Sequence, residues 1–428
     1  MNNVVVIGGG VAGIQSAMDI ANHNIHVYLI EREPSIGGHM AMLDKTFPTN
    51  DCSMCILSPK MAEISRHPNI TILTLAEVEK IEGEVGNFTV TVTQYPRYIN
   101  EKECTGCGDC VLICPIEVYN KFDAGIGVRK AIYKPHAQSI PNIVVKDNLH
   151  CIECGLCYGV CGKDAVLKVT EDRVETLEIS ASAVVIATGY TLFDPQKKSQ
   201  FGYLRYPDVI TSLEFERMIN AGGPTAGNLR RLSNGETPKS IVFVQCVGSR
   251  DLTVKRNICS CVCCMYALKN AMLIKEHYPD CEVSILYSDI RAYGKGYEEY
   301  YERAINAGVK IIRGLPGDVQ DNGKGRLVLP VENTETREFL NLEADLVILS
   351  VGMIPEPETV RLAKSLGLGL DEHQFLSSAD MKLDPSGTMR PGIYIAGAAL
   401  APKDIPDCVM SAGAAAMKAS IDVIRSEQ

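Results

Sequence analysis

The chain holds 17 cysteines in 428 residues, and eight of them fall into one repeated spacing. Cys104, Cys107, Cys110 and Cys114 stand at C-x2-C-x2-C-x3-C, with Pro115 next. Cys151, Cys154, Cys157 and Cys161 repeat the spacing, with Gly162 where the proline would stand. Paired runs of this kind hold two [4Fe–4S] clusters, each taking three thiolates from one tight turn and the fourth from the other run. The segment must therefore fold back on itself. Cys104, Cys107, Cys110 and Cys161 form one expected ligand set, and Cys151, Cys154, Cys157 and Cys114 the other. Gly106, Gly108 and Gly155 suit turns where backbone passes close. Zinc sites use C-x2-C pairs rather than two runs of four, so zinc fits poorly. A chain with this pattern moves single electrons.

Composition narrows the setting. The net charge is −10 and no basic patch is visible, which argues against nucleic acid. No apolar run reaches the roughly 18 residues of a membrane span. The apolar start lacks a basic n-region and a cleavage site. A cytoplasmic, soluble protein or a peripheral component of a complex is expected, in which cysteines serve metals rather than disulfides. The length suggests two or three domains.

The apolar start is instead a nucleotide-binding unit. Residues 3–7 read as a buried strand. Gly8, Gly10 and Gly13 give G-x-G-x-x-G at the start of an amphipathic helix, and a second strand ends at Glu31. The glycines let a pyrophosphate approach the helix N-terminus, and Glu31 is placed for ribose hydroxyls. Arg32 and Gly38 extend the motif toward its flavin form, so FAD is the expected cofactor. Two later strands end in Ala187-Thr188-Gly189 and in Gly397. They are similar to paired segments of thioredoxin-reductase-like flavoproteins. Ala398 stands where that group carries an aspartate, and Asp404 and Ile405 are candidates to make the missing contacts. A helix over 410–424 is expected to turn its N-terminus toward the flavin.

The expected fold is α/β: two Rossmann-like domains with an inserted two-cluster ferredoxin. The flavin domain takes residues 1–95, 169–235 and 341–428, the insert 96–168, and a degenerate NAD-like domain 236–340. In that last domain a strand over 240–245 should run into a second glycine fingerprint. Cys246-Val247-Gly248-Ser249-Arg250 follows instead, and Cys259-Ser260-Cys261-Val262-Cys263-Cys264 opens a helix. Cys246, Cys259, Cys263 and Cys264 are a plausible four-ligand set at an unusual spacing, with Cys261 spare. The residues alone leave the metal open. Without a phosphate cradle, direct NAD(P)H oxidation is disfavoured. Cys52 and Cys55 make one more C-x2-C, with three readings: a redox-active disulfide near the flavin, half of a fourth cluster, or structural thiols. Cys281 and Cys408 read as core.

Together these residues resemble the A component of heterodisulfide reductase over nearly the whole chain. The most specific stretches are the flavin fingerprint, 51–60, 96–98, 246–250, 263–269 and 402–407. The resemblance implies that Cys246, Cys259, Cys263 and Cys264 hold a third [4Fe–4S] cluster beside FAD. It also implies that Lys269 lies near the flavin N5, where a cation stabilises reduced flavin; a solvated helix lysine is the other reading. Longer members carry further domains at both ends, so the chain reads as a short form. It is similar to bacterial versions that include the flavin subunit of class II benzoyl-CoA reductase complexes. The implied function is an electron-transfer subunit, an oxidoreductase component converting two-electron into one-electron transfer, with flavin-based bifurcation as an extension. Implied partners are heterodisulfide reductase B- and C-like subunits, a hydrogenase or NADH-oxidising module, ferredoxin, and a second copy of the chain. A self-contained NAD(P)H-dependent flavin reductase and a scaffold whose clusters only hold the fold are the rival readings.

Overall fold

The computed structural model describes residues 3–426. The chain divides into two compact units: one built from the segment ending at Ala41, Met54–Tyr190 and the segment from Pro355 on, the other from Met42–Ser53 and Thr191–Ile354. Each pairs a five-stranded parallel sheet with a three-stranded antiparallel one.

In the first unit the parallel strands lie in the order Ile393–Ile395, Ala183–Ile186, Asn3–Ile7, His26–Glu31, Ile70–Thr74. The run Val4-Val5-Val6-Ile7 explains its central strand. Val4 and Val6 join the core on one face, Val5 and Ile7 the core on the other. Strands buried on both faces read as continuous apolar runs because helices or sheets cover both sides. Helix Val11–Ala21 packs on one face against helix Ile405–Ser426. Ala412, Ala415, Ala416 and Ala419 recur at helical spacing on the second helix and are fully buried. Their small side chains let the helices approach until Ser16 Oγ donates to Ala412 O at 3.2 Å.

The cysteine-rich insert leaves this unit between two paired strands. Asn87–Gln94 lies antiparallel to Glu175–Ala181, with Gln94 opposite Glu175. The insert is thus a long hairpin loop whose ends are held side by side. A bridge between Ile99 and Val166 closes its base, and Leu167 N donates to Tyr98 O at 3.0 Å. It is also pinned beside the nucleotide fingerprint. Ile36 N donates to Ile140 O at 3.1 Å, and Ile140 N to Ser35 Oγ at 3.0 Å. Arg97 is buried; its Nε bonds Glu101 at 2.9 Å within the insert, while Nη2 bonds Pro34 O at 3.0 Å and Thr74 Oγ1 at the sheet edge.

In the second unit the parallel order is Val209–Thr211, Leu346–Val351, Ser240–Val247, Glu282–Tyr287, Lys310–Arg313. This differs from the domain limits read from sequence. Residues 209–211 and 346–351, assigned there to the flavin domain, pair with each other and beside Ser240–Val247. The segment 42–53 joins this unit too, because Glu216 accepts from Asp44 N at 3.0 Å and Lys269 Nζ donates to Lys45 O at 2.9 Å.

Arg97 makes three bonds, two of which tie the insert to Pro34 and to the sheet edge at Thr74, so Arg97→Met should cost about 2–4 kcal/mol. The midpoint of urea unfolding measures this; an unchanged midpoint would mean that the contacts do not form in solution.

Candidate functional site

The flavin candidates gather at the C-terminal ends of the first parallel sheet, where ligands of such sheets bind. Gly8 takes φ +106°, and a Cβ there would lie 2.4 Å from Ala187 O. A Cβ at Gly13 would lie 1.8 Å from Gly8 O, so the helix can sit on the turn only with glycine at both. Gly10 caps the helix without a side-chain hydrogen bond, leaving first-turn N–H groups for an anion. Gly38 faces it, with Gly10 Cα 3.0 Å from its Cβ position. This open glycine cradle fits a pyrophosphate.

Glu31 is buried, with Gly9 N donating to it at 2.7 Å and Glu33 N at 2.8 Å. Burial raises its pKa and those two N–H groups oppose the rise. Arg32 is committed elsewhere: its Nη1 meets Glu356 at 2.8 Å and Glu358 at 3.0 Å. Thr188 and Thr359 share a 2.6 Å hydroxyl contact, and Ala187 N donates to Ile7 O. Gly397 N donates to Ser411 Oγ at 2.9 Å, which brings it against Ala12 of the first helix. Asp404 caps helix Ile405–Ser426: its Oδ1 accepts from Asp407 N at 2.9 Å. Sequence reasoning missed His39, which stacks on Tyr190 at 4.4 Å between ring centroids. Burial pushes its pKa down to about 4, so it is neutral near pH 7. No motif flagged it.

In the insert the two cysteine runs fold as near copies. Helices Asp109–Ile113 and Leu156–Val160 both start at a left-handed glycine, Gly108 and Gly155, and they pack together. Burial pushes Cys110 up to about 12, and the charges that add to the rise are, in descending order, those of Cys104, Cys107, Cys161 and Cys157. A cavity on the other side is lined by Cys114, Cys151, Cys154 and Cys157, together with Lys146. Each group of four draws one cysteine from the opposite run. Backbone N–H groups already point at sulfur: Ala165 N at Cys161, 3.3 Å, and Glu153 N at Cys151, 3.4 Å. Among the described residues no His, Cys, Asp or Glu group is tight enough for a single metal ion.

The second unit repeats the strand–turn–helix plan, from Ser240–Val247 to helix Cys263–His277. The three-residue glycine turn is replaced by a loop over 248–262. Cys246 and Cys261 both take φ +61°, a conformation that costs a non-glycine residue energy and clusters at functional sites. Cys246 is pushed up to about 11 by burial and by Cys264. Cys263 is raised by burial, with Cys264, Cys246 and Cys259 adding to it. Cys259 is pushed down to about 6 by its hydrogen bond with Cys261, helped by Arg291 and Arg250. The four candidate ligands are thus mutual neighbours, and Cys261 donates to Cys259 O at 3.5 Å. Cys263 and Cys264 are buried and Cys246 and Cys259 half-buried; thiols so placed, with Arg250 and Arg291 acting on Cys259, fit an anionic cluster.

Cys52 and Cys55 are joined as a disulfide. A fourth cluster and the structural-thiol reading both require the pair in its reduced form. Lys269 is not a solvated helix lysine. Its side chain is 1% exposed and pairs with Glu216, itself 3% exposed. An ammonium has three N–H groups, so the bonds to Glu216 and Lys45 O leave a third donor.

Lys269→Met would leave the Glu216 carboxylate buried without its cation, at a cost of about 3–5 kcal/mol. Glu216→Gln on that background should recover part of it. Chemical denaturation of both variants is the check, and a single-variant loss below about 1 kcal/mol would mean the pair is hydrated in solution.

Comparison with known proteins agrees with this geometry. The family model for a 4Fe-4S dicluster domain matches residues 103–166, and that for an FAD dependent oxidoreductase matches residues 3–50. The structure is similar to the thioredoxin reductases of T. acidophilum and Lactococcus lactis, each with a TM-score of 0.54. They cover 99% of this chain and all of theirs, at 15% and 16% identity, and so show the fold alone: thioredoxin-reductase-like, with a dicluster insert. The iron-sulfur A component of the CoB--CoM heterodisulfide reductase of Methanocaldococcus jannaschii is 50% identical over 99% of this chain. The A component of the H(2):CoB-CoM heterodisulfide,ferredoxin reductase of Methanothermobacter marburgensis is 48% identical over all of it. The chain spans 64% of the length of each of these relatives. No helix among the described residues is long and apolar enough to cross a membrane. Along nearly its full length, the chain is similar to the iron-sulfur A components of heterodisulfide reductase.

Proposed function

We propose that the chain is an FAD and [4Fe–4S] electron-transfer component of a multi-subunit oxidoreductase. When bound, FAD would supply exchange of electrons in pairs or singly, and the clusters single transfers. The observation that carries the reading is the loop over 248–262. It occupies the place of a second nucleotide turn and carries thiols in place of phosphate-binding glycines. A reductase scaffold without that turn has to exchange electrons with partners.

The residues take the following roles. Gly8, Gly10, Gly13 and Gly38 cradle the pyrophosphate, and Glu31 turns its acceptors toward the ribose. Ala187, Thr188, Gly189 and Gly397 close the strand ends over the flavin, and Asp404 and Ile405 start the helix behind Gly397. Arg32 enters the site only if it leaves Glu356 and Glu358. Cys104, Cys107, Cys110 and Cys161 hold one cluster, Cys114, Cys151, Cys154 and Cys157 the second, and Cys246, Cys259, Cys263 and Cys264 the third. Lys269 is the candidate catalytic group, fixed by Glu216 with a donor to spare. The finer form of the proposal is bifurcation; cysteine sets in both units support it, since electrons then have separate destinations. Names of relatives mention hydrogen, formate, ferredoxin and the CoB-CoM heterodisulfide. Partners of those kinds, and a homodimer inside the complex, are proposed for this chain. So is the reducing cytoplasm, where thiolate ligands persist.

Iron and flavin quantitation after anaerobic reconstitution tests the assignment. About 12 iron atoms and one FAD per chain are expected. Cys263→Ser should lose about four iron and keep the rest. Eight iron in the unaltered chain, unchanged by Cys263→Ser, would remove the third cluster and with it the argument against nicotinamide.

A further inference from the structure

Lys146 lies at the end of a short strand, Val145–Lys146, with no place in the ligand sets. Its side chain is 1% exposed, and it lines the same cavity as Cys114, Cys151, Cys154 and Cys157. The ammonium donates to Glu153 at 2.6 Å and to Tyr158 OH at 2.8 Å. It also stands over the rings of Tyr158 and Tyr98, 5.1 and 5.9 Å from their centroids. Burying a lysine this fully is costly unless it is paired. Glu153 pairs it, but that carboxylate side chain is 47% exposed. Water and salt screen the exposed anion strongly and the buried cation weakly. Glu153 lines the cavity too, with Oε1 3.8 Å from Cys151 Sγ, but solvent weakens its charge more than that of the buried ammonium.

The other ligand set also has a buried cation near it: the Arg97 side chain is 3% exposed and pairs with Glu101, 52% exposed. The charges that bear on Cys110 are those of other thiols. Arg97, which bears on Cys104, bonds Glu101 within the insert and points its remaining bonds at Pro34 and Thr74. The difference is one of place: Lys146 lines the cavity beside its cysteines, whereas Arg97 turns two of its three bonds to Pro34 and Thr74.

We propose that Lys146 raises the reduction potential of the cluster that Cys114, Cys151, Cys154 and Cys157 would hold, by keeping a fixed buried positive charge against that set. One-electron reduction adds one negative charge there, and Lys146 stabilises the product over the reactant. Net charge, hydrogen bonds to sulfur and solvent exposure are the quantities that set such potentials. Lys146 is a tuning residue; it is not a ligand. The inference rests on the cluster assignment proposed above.

The test is a redox titration of the full chain, reconstituted anaerobically with iron and sulfide and followed by electron paramagnetic resonance. Iron content is measured first. Lys146→Met should move one reduction wave to more negative potential by about tenfold in its equilibrium constant, about 59 mV for one electron. Glu153→Gln, which removes the anion and keeps the cation, should move the same wave the opposite way. Lys146→Arg should leave it in place. If iron is retained and neither Lys146→Met nor Glu153→Gln moves a wave, or all waves move together, the proposal is overturned. If Lys146→Met loses iron, Glu153→Gln decides by the same rule. Fewer than about eight iron atoms per unaltered chain would overturn the cluster assignment itself, and the proposal with it.

Discussion

Gathering four thiolates around one cubane requires chain from more than one direction, and much of the first unit follows from meeting that need. The insert solves it by closing on itself. Its ends leave and re-enter through neighbouring antiparallel strands, with Gln94 opposite Glu175, so Cys114 and Cys161 can cross to the opposite turns. A tail attached at one end would have no such closure. The same closure sets the insert beside the nucleotide fingerprint, where Arg97 and Ile140 bond Pro34, Ser35 and Ile36. An electron carrier fixed at both ends keeps one distance to the glycine cradle, and electron transfer depends on that distance.

The two units answer different chemistry with one plan. In each, a central apolar strand runs into a turn and then a helix across the sheet. Where the turn is Gly8–Gly10, the first N–H groups of the helix that Gly10 caps are left for an anion. Where it is the loop over 248–262, Cys246, Cys259 and Cys264 bear on Cys263, and Arg250 and Arg291 on Cys259. The change trades a phosphate site for a thiolate site without altering the strand order around it.

Sequence made some of this plain and hid the rest for physical reasons. Val4 to Ile7 announced a doubly buried strand, because both faces had to be apolar. The ferredoxin spacing announced its clusters, because cubane geometry tolerates little variation. The edges of the units were not legible: a parallel strand such as Val209–Thr211 finds its partner, Leu346–Val351, more than a hundred residues away, and burial chooses it without a local signal. Arg32 looked like a cofactor contact, yet Glu356 and Glu358, 324 and 326 residues on, hold it. Lys269 carried a motif but not its burial, which comes from Glu216 on another helix. Asp404 was read for its charge, and the structure uses it as a helix cap. Lys146 had no motif; only the fold brings it to the cysteine cavity.

The central claim is that the second unit has exchanged nicotinamide binding for a thiolate site, so electrons enter from partners. Anaerobic stopped-flow mixing of the reconstituted full chain with NADH, with NADPH, and separately with a one-electron donor such as dithionite measures it directly. The account predicts flavin and cluster bleaching with the one-electron donor and no fast bleaching with either nicotinamide. Rapid, saturable flavin bleaching by NADH or NADPH in the isolated chain would contradict it.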